Sequence, residues 1–163
     1  MAGKKPVPND IVAAALRLLS YRPRSVAELR EKLLSKGFGA DETGSALTLL
    51  TGAGYLDDER FAALLADSRK RNKNWGPSRI AAELKRKGVP AEIIRASVVH
   101  DTVAEAETAR AAFGKWMRKM AIPSPLDRRS FERAYRFLKG RGFSNEVIFK
   151  VINGSKGDFE PGQ

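Results

Sequence analysis

The chain has 163 residues, 42% of them hydrophobic, and carries 30 Lys plus Arg against 19 Asp plus Glu, a formal net charge of +11. That length and apolar share suffice for one ordinary domain or a few small modules and exclude global disorder. The absence of cysteine excludes disulfides, thiolate nucleophiles and Cys-ligated zinc, the single histidine is His100, and the positive excess points to a polyanionic partner.

No apolar run approaches the roughly 18 to 20 residues of a membrane span, and Met1 to Pro8 has no segment resembling a secretory signal. A soluble, cytoplasmic protein with no membrane partner is expected. Residues 1–8 and 154–163 read as flexible tails. Between them apolar residues recur at spacings of three and four without alternating strand patterns, so the expected fold class is all-α.

In chain order, a first amphipathic helix near 10–20 leads through Arg22-Pro23-Arg24 into a second over Ser25 to Lys36. Ser25 and Glu28 have the spacing of a capping box; Val26, Leu29 and Leu33 form the apolar stripe; Glu28 and Lys32 make an i, i+4 pair on the wet side; and Gly37 stops the helix. A third helix near 41–51 carries Leu47 and Leu50. The same triplet follows with helices near 58–71, after Trp75-Gly76-Pro77, and near 90–101, the last with Ile93, Ile94 and Val98. It recurs with helices near 105–120, after Ile122-Pro123-Ser124-Pro125, and near 144–153, the last with Val147, Ile148 and Val151. In the helix near 105–120, Ala109, Phe113, Trp116 and Met120 share a core stripe, with Met117 off it.

The three second helices end alike, in Lys36-Gly37-Phe38, Lys87-Gly88-Val89 and Arg141-Gly142-Phe143, each with a leucine four residues before the glycine: Leu33, Leu84 and Leu138. The chain therefore reads as three tandem three-helix modules, 9–55, 56–103 and 104–153, in an array expected to be elongated and curved. Periodicity alone leaves a HEAT-like solenoid open. A monomer is expected.

Gly54-Tyr55-Leu56-Asp57-Asp58-Glu59-Arg60-Phe61-Ala62 resembles the most characteristic segment of the RecX family of recombinase regulators. Trp75-Gly76-Pro77-Ser78-Arg79-Ile80, with Glu83-Leu84 and Lys87-Gly88-Val89, resembles the family's Gly-Pro segment. Arg136-Phe137-Leu138 through Arg141-Gly142-Phe143-Ser144 resembles its C-terminal block. The resemblance covers about residues 10 to 153, and the Pro-containing connection around Ile122 to Leu126 departs from it. It implies an elongated, all-α protein of three modules that binds the RecA filament on single-stranded DNA, limiting filament extension and damping ATP hydrolysis and strand exchange without catalysis of its own.

Read residue by residue, the chain offers little chemistry. His100 beside Asp101 reads as a solvated helix-end residue. Asp57, Asp58 and Glu59 resemble a magnesium cluster only superficially, because acids directly before an apolar helix are favoured as caps and by the macrodipole. No glycine pattern matches a phosphate-binding loop. No cofactor and no metal are expected, and the chain reads as a non-enzyme.

Positive charge is concentrated instead. One cluster holds Arg69, Lys70, Arg71, Lys73, Arg79, Lys85, Arg86 and Lys87 around Trp75, which is suited to stacking on a base, to anchoring in a partner's pocket, or to packing on the Gly-Pro turn. A second runs from Arg110 to Arg141. In it Arg118 and Lys119 close one helix, while Arg129, Arg133 and Arg136 share a face opposite Phe131, Ala134, Tyr135 and Leu138. These clusters are the candidate surface for the RecA filament and the single-stranded DNA within it, with weak direct DNA binding left open; Arg110, Lys115, Arg128, Lys139 and Arg141 also lie in the second but are not candidate site residues. The alternative is an autonomous DNA-binding protein of tandem helix-turn-helix-like modules.

Overall fold

Local sequence supplies the start and stop of most helices. The computed structural model describes residues 8–122 and 126–154, and among these it forms nine α-helices and no strand. They are α1 (Pro8–Tyr21), α2 (Val26–Ser35), α3 (Ala40–Gly52), α4 (Asp58–Lys73), α5 (Pro77–Arg86), α6 (Ala91–Ser97), α7 (Thr102–Met120), α8 (Arg128–Gly140) and α9 (Asn145–Gly154). The fold is all-α, as expected. At α2 the Ser25 hydroxyl accepts from the Glu28 N–H and the Glu28 carboxylate accepts from the Ser25 N–H, completing the capping box.

The three shared stops have one geometry. Gly37, Gly88 and Gly142 take φ of +90°, +72° and +85°, and the residue after each donates its N–H back to Leu33, Leu84 and Leu138 at 3.3, 3.2 and 3.4 Å. This is the left-handed closure that glycine permits, and each of those leucines is fully buried.

The chain divides into two compact units. The first takes the described residues up to Leu64 together with Leu84–Ser97; the second takes Leu65–Glu83 and the described residues from Val98 onward. Helices α4 and α5 thus contribute to both. In the first unit α1, α2 and α3 pack around Leu29, Leu33, Leu47 and Leu50, with Leu56 joining them. In the second, α7, α8 and α9 pack around Phe113, Leu138, Phe143, Val147 and Ile148.

Each unit contains the same kind of joint. In the first, Gly88 lies so close to α2 that a Cβ there would stand 2.4 Å from the Ala27 Cβ, and the Lys87 carbonyl accepts the Ser25 hydroxyl. In the second, Gly76 and Ser78 donate their N–H groups to the Arg141 and Gly142 carbonyls at 2.8 and 3.2 Å, and a Cβ on Gly142 would stand 2.3 Å from the Arg79 nitrogen. A basic-Gly stop therefore docks onto the start of an earlier helix twice, on α2 and on α5.

Several local expectations are corrected. Helix α6 ends at Ser97 rather than near 101, because Asp101 is the extended N-cap of α7, its carboxylate accepting from the Val103 and Ala104 N–H groups. Glu28 does not pair with Lys32 on a wet face. It is held by Arg22 at 3.0 Å and Lys87 at 2.8 Å with only 17% of its side chain exposed. Met120 is 42% exposed at the end of α7, whereas Met117 packs on the core. Of the three acids expected to cap α4, Asp57 does so by accepting from the Arg60 N–H, whereas Asp58 accepts instead from the N–H of Val26 at the head of α2. Pro8 already belongs to α1. The remaining residues read as tails, 1–7 and 155–163, and the prolines at 123 and 125 lie outside the described residues.

Candidate functional site: a basic, aromatic cleft

The α4–α5 turn is built to project an aromatic ring. Asn74 ends α4 in the left-handed conformation, φ +49°, with its N–H bonded to the Lys70 carbonyl, and the Trp75 N–H reaches back to Arg69. Pro77 then opens α5, where its fixed φ is pre-set for a first helical position. Trp75 is held between cations: the Arg79 guanidinium lies 4.1 Å from the ring centroid and that of Arg69 5.6 Å. Arg69 is itself gripped by Glu83 through two 2.6 Å bonds, and this partnership raises its pKa.

Facing that turn is the end of α8. Arg141 lies over the Phe137 ring at 4.7 Å, and Phe137 stacks on Trp116, which stacks on Phe113, so a column of rings seats the guanidinium. Arg141 donates to the Lys73 carbonyl, and Arg79 donates to the Gly140 carbonyl at 2.7 Å. The two loops are thereby laced together, and they border an open cleft of about 540 Å³. Lys73, Arg79, Lys115, Arg136 and Arg141 line it together with Trp75, and no carboxylate does. Burial and then the neighbouring Arg79 charge lower the Arg141 pKa, and its Nε is buried without a hydrogen-bond partner among the described residues. A cleft with converging cations, a solvent-shielded donor and no acid is chemically suited to an anion.

The residues singled out from sequence meet different fates. Lys73, Trp75, Arg79 and Arg136 come together here. Arg69 supports Trp75 through its ion pair, and Arg71 pairs with Asp67 at 2.7 Å on the α4 surface, where Lys70 is exposed. Lys85, Arg86 and Lys87 belong to the first unit; the first two are exposed, while Lys87 is tied to Glu28 and lies 6.0 Å from the Phe61 ring. Arg118, Lys119, Arg129 and Arg133 are exposed on α7 and α8 of the second unit. Sequence reasoning left Lys115, Asn74, Phe137 and Arg141 out of the site. Arg141 was legible as part of a stop motif and as the last member of the second basic cluster, but nothing local signals that the stop at 141–142 lands on residues 76–79.

Among the described residues no group of three or more His, Cys, Asp or Glu is placed to hold a metal ion, and no helix is long and apolar enough to cross a membrane.

Comparison with known proteins agrees with the motif reading. The family profiles described as RecX, first three-helix domain, and RecX, second three-helix domain, match residues 12–51 and 57–98. A protein named regulatory protein RecX from Trichlorobacter lovleyi is 36% identical over 147 residues, covering 89% of this chain and 95% of that one. One of the same name from Acidithiobacillus ferrooxidans is 37% identical over 153 residues, covering 93% and 95%. The crystal structure of RecX from Lactobacillus salivarius superposes with a TM-score of 0.79 at 22% identity, over 90% of this chain and 95% of that one, a likeness of fold. Paired three-helix domains and identity sustained across nearly the whole of both chains place this protein in the RecX family of regulatory proteins.

Proposed function

We propose that this chain is a non-catalytic regulator that binds the RecA recombinase filament on single-stranded DNA and restrains its ATP hydrolysis, extension and strand exchange in DNA repair and recombination. Membership in the RecX family is the observation that carries this reading. The carboxylate-free cleft between the α4–α5 turn and the end of α8 supports it, since a group of converging cations offers salt-sensitive contact to acidic protein groups or to the filament's DNA. In this reading the protein acts as a cytoplasmic monomer without cofactor. Its three modules are 9–55, 56–103 and 104–153, the first two supported by the profile matches at 12–51 and 57–98.

The test is titration of the protein into a recombinase reaction hydrolysing ATP on single-stranded DNA. Inhibition at or below stoichiometry is expected, with no hydrolysis by this chain alone. Undiminished hydrolysis at saturating protein contradicts the regulatory reading, and NTP turnover that tracks with the purified chain contradicts the non-enzymatic one.

A further inference from the structure

Trp75 is a poor platform for a nucleobase, because the Arg79 guanidinium already lies over its ring. A better one lies on the other side of Arg136. There Phe131, Tyr135 and Phe149 line an open groove of about 380 Å³, joined by Glu132, whose carboxylate is engaged by Arg128 at 3.3 Å. Phe149 is 46% exposed, an unusual exposure for a phenylalanine, with ring centroids 6.2 Å from Phe131 and 5.7 Å from Tyr135. Asn145 accepts hydrogen bonds from both the Tyr135 hydroxyl and the Lys139 ammonium, which brings a second cation to the hydroxyl edge of the groove. Arg136, an exposed residue, lines both this groove and the basic cleft, so the aromatic surface and the cationic one share a side chain.

We propose that this juxtaposition is a binding site for single-stranded nucleic acid, with an unstacked base lying in the Phe131–Tyr135–Phe149 groove and the adjoining phosphates held by Arg136 and the cations of the cleft. Aromatic faces beside a line of cations are what a sequence-tolerant single-strand binder requires. A duplex keeps its base faces stacked and offers only its backbone and edges, so it engages the cations but not the groove. An acidic peptide likewise satisfies the cations and leaves the rings idle. The proposal does not rest on the filament reading, because the purified chain alone suffices to test it.

The experiment is fluorescence anisotropy with the full chain and a labelled oligothymidylate, an abasic oligonucleotide of equal length, and a duplex. Wild-type protein should bind the oligothymidylate at least about fivefold more tightly than the abasic strand, the low end of one base stacking on an aromatic side chain. Phe149→Ala, checked for folding by circular dichroism, should erase that difference and leave duplex binding unchanged. Arg136→Gln should weaken all three and flatten the salt dependence. Equal wild-type affinity for thymidylate and abasic strands overturns the proposal even if Phe149→Ala fails to fold. So does competition by polyglutamate as effective as by oligothymidylate, which reduces the site to bare charge, or by free nucleotide as effective as by the strand, which makes the ligand a mononucleotide.

Discussion

A side chain at position 142 has no room. Gly142 combines φ of +85° with a position from which a Cβ would stand 2.3 Å from the backbone nitrogen of Arg79, whereas Gly37 shares the φ and has nothing within 4 Å. Gly37→Ala should therefore lose only about 1 kcal/mol of stability to backbone strain, and Gly142→Ala more than about 2 kcal/mol, because the joint must also open. Urea melts of the two variants check the ranking, and equal losses would mean that the joint is not tightly packed. Glu28 makes a second residue-scale prediction. Burial pushes its pKa up, but hydrogen bonds from Arg22 and Lys87 outweigh burial and hold it at about 2. A carboxylate depressed in the folded state contributes stability above its unfolded pKa and loses it as pH falls through the folded one. Wild-type stability should thus drop between about pH 5 and 2, and Glu28→Gln, costing on the order of 1–3 kcal/mol at neutral pH, should flatten that drop. A variant with unchanged acid sensitivity would assign the effect to other carboxylates. Ser25, Glu28 and the three glycines were legible as caps and stops because capping is local; that Glu28 answers Lys87 rather than Lys32 was not, because the partner is 59 residues away.

At the scale of elements, period and face were legible wherever a helix packs on one side. In α5, Leu84 is fully buried and Lys85 exposed. Leu84→Ala should cost about 2 to 5 kcal/mol and Lys85→Ala little, as measured by thermal or urea unfolding, and equal effects would mean that the core face is elsewhere. In α8 the separation is equally clear: Ala134 and Leu138 are buried, while Arg129, Arg133 and Arg136 are exposed. Changing the three arginines to glutamate lowers the formal charge from +11 to +5 and leaves the apolar stripe intact. The helix should remain folded by circular dichroism while inhibition of the recombinase falls steeply. A folded variant that inhibits as well as the wild type would make this face merely solvated. What the element scale concealed was the cleft. Its walls come from the α4–α5 turn, α7 and the end of α8, three segments whose proximity is set by Gly76 and Gly142 and not by any short spacing.

At the scale of the whole molecule, the excess of cations and the repeated stops were legible from composition and register, and the family from three motifs spread across the chain. The division into two units was not, because α4 and α5 each read as one uninterrupted amphipathic helix while contributing to both. The central claim is that this RecX-family chain acts by occupying a recombinase filament. Electron microscopy of RecA–single-stranded DNA filaments, formed with and without the protein in excess, tests it most directly. The account predicts continuous added density along the filament groove that fades as salt screens the cationic contacts. Filaments of unchanged cross-section, with all of the protein left free in solution, would contradict it.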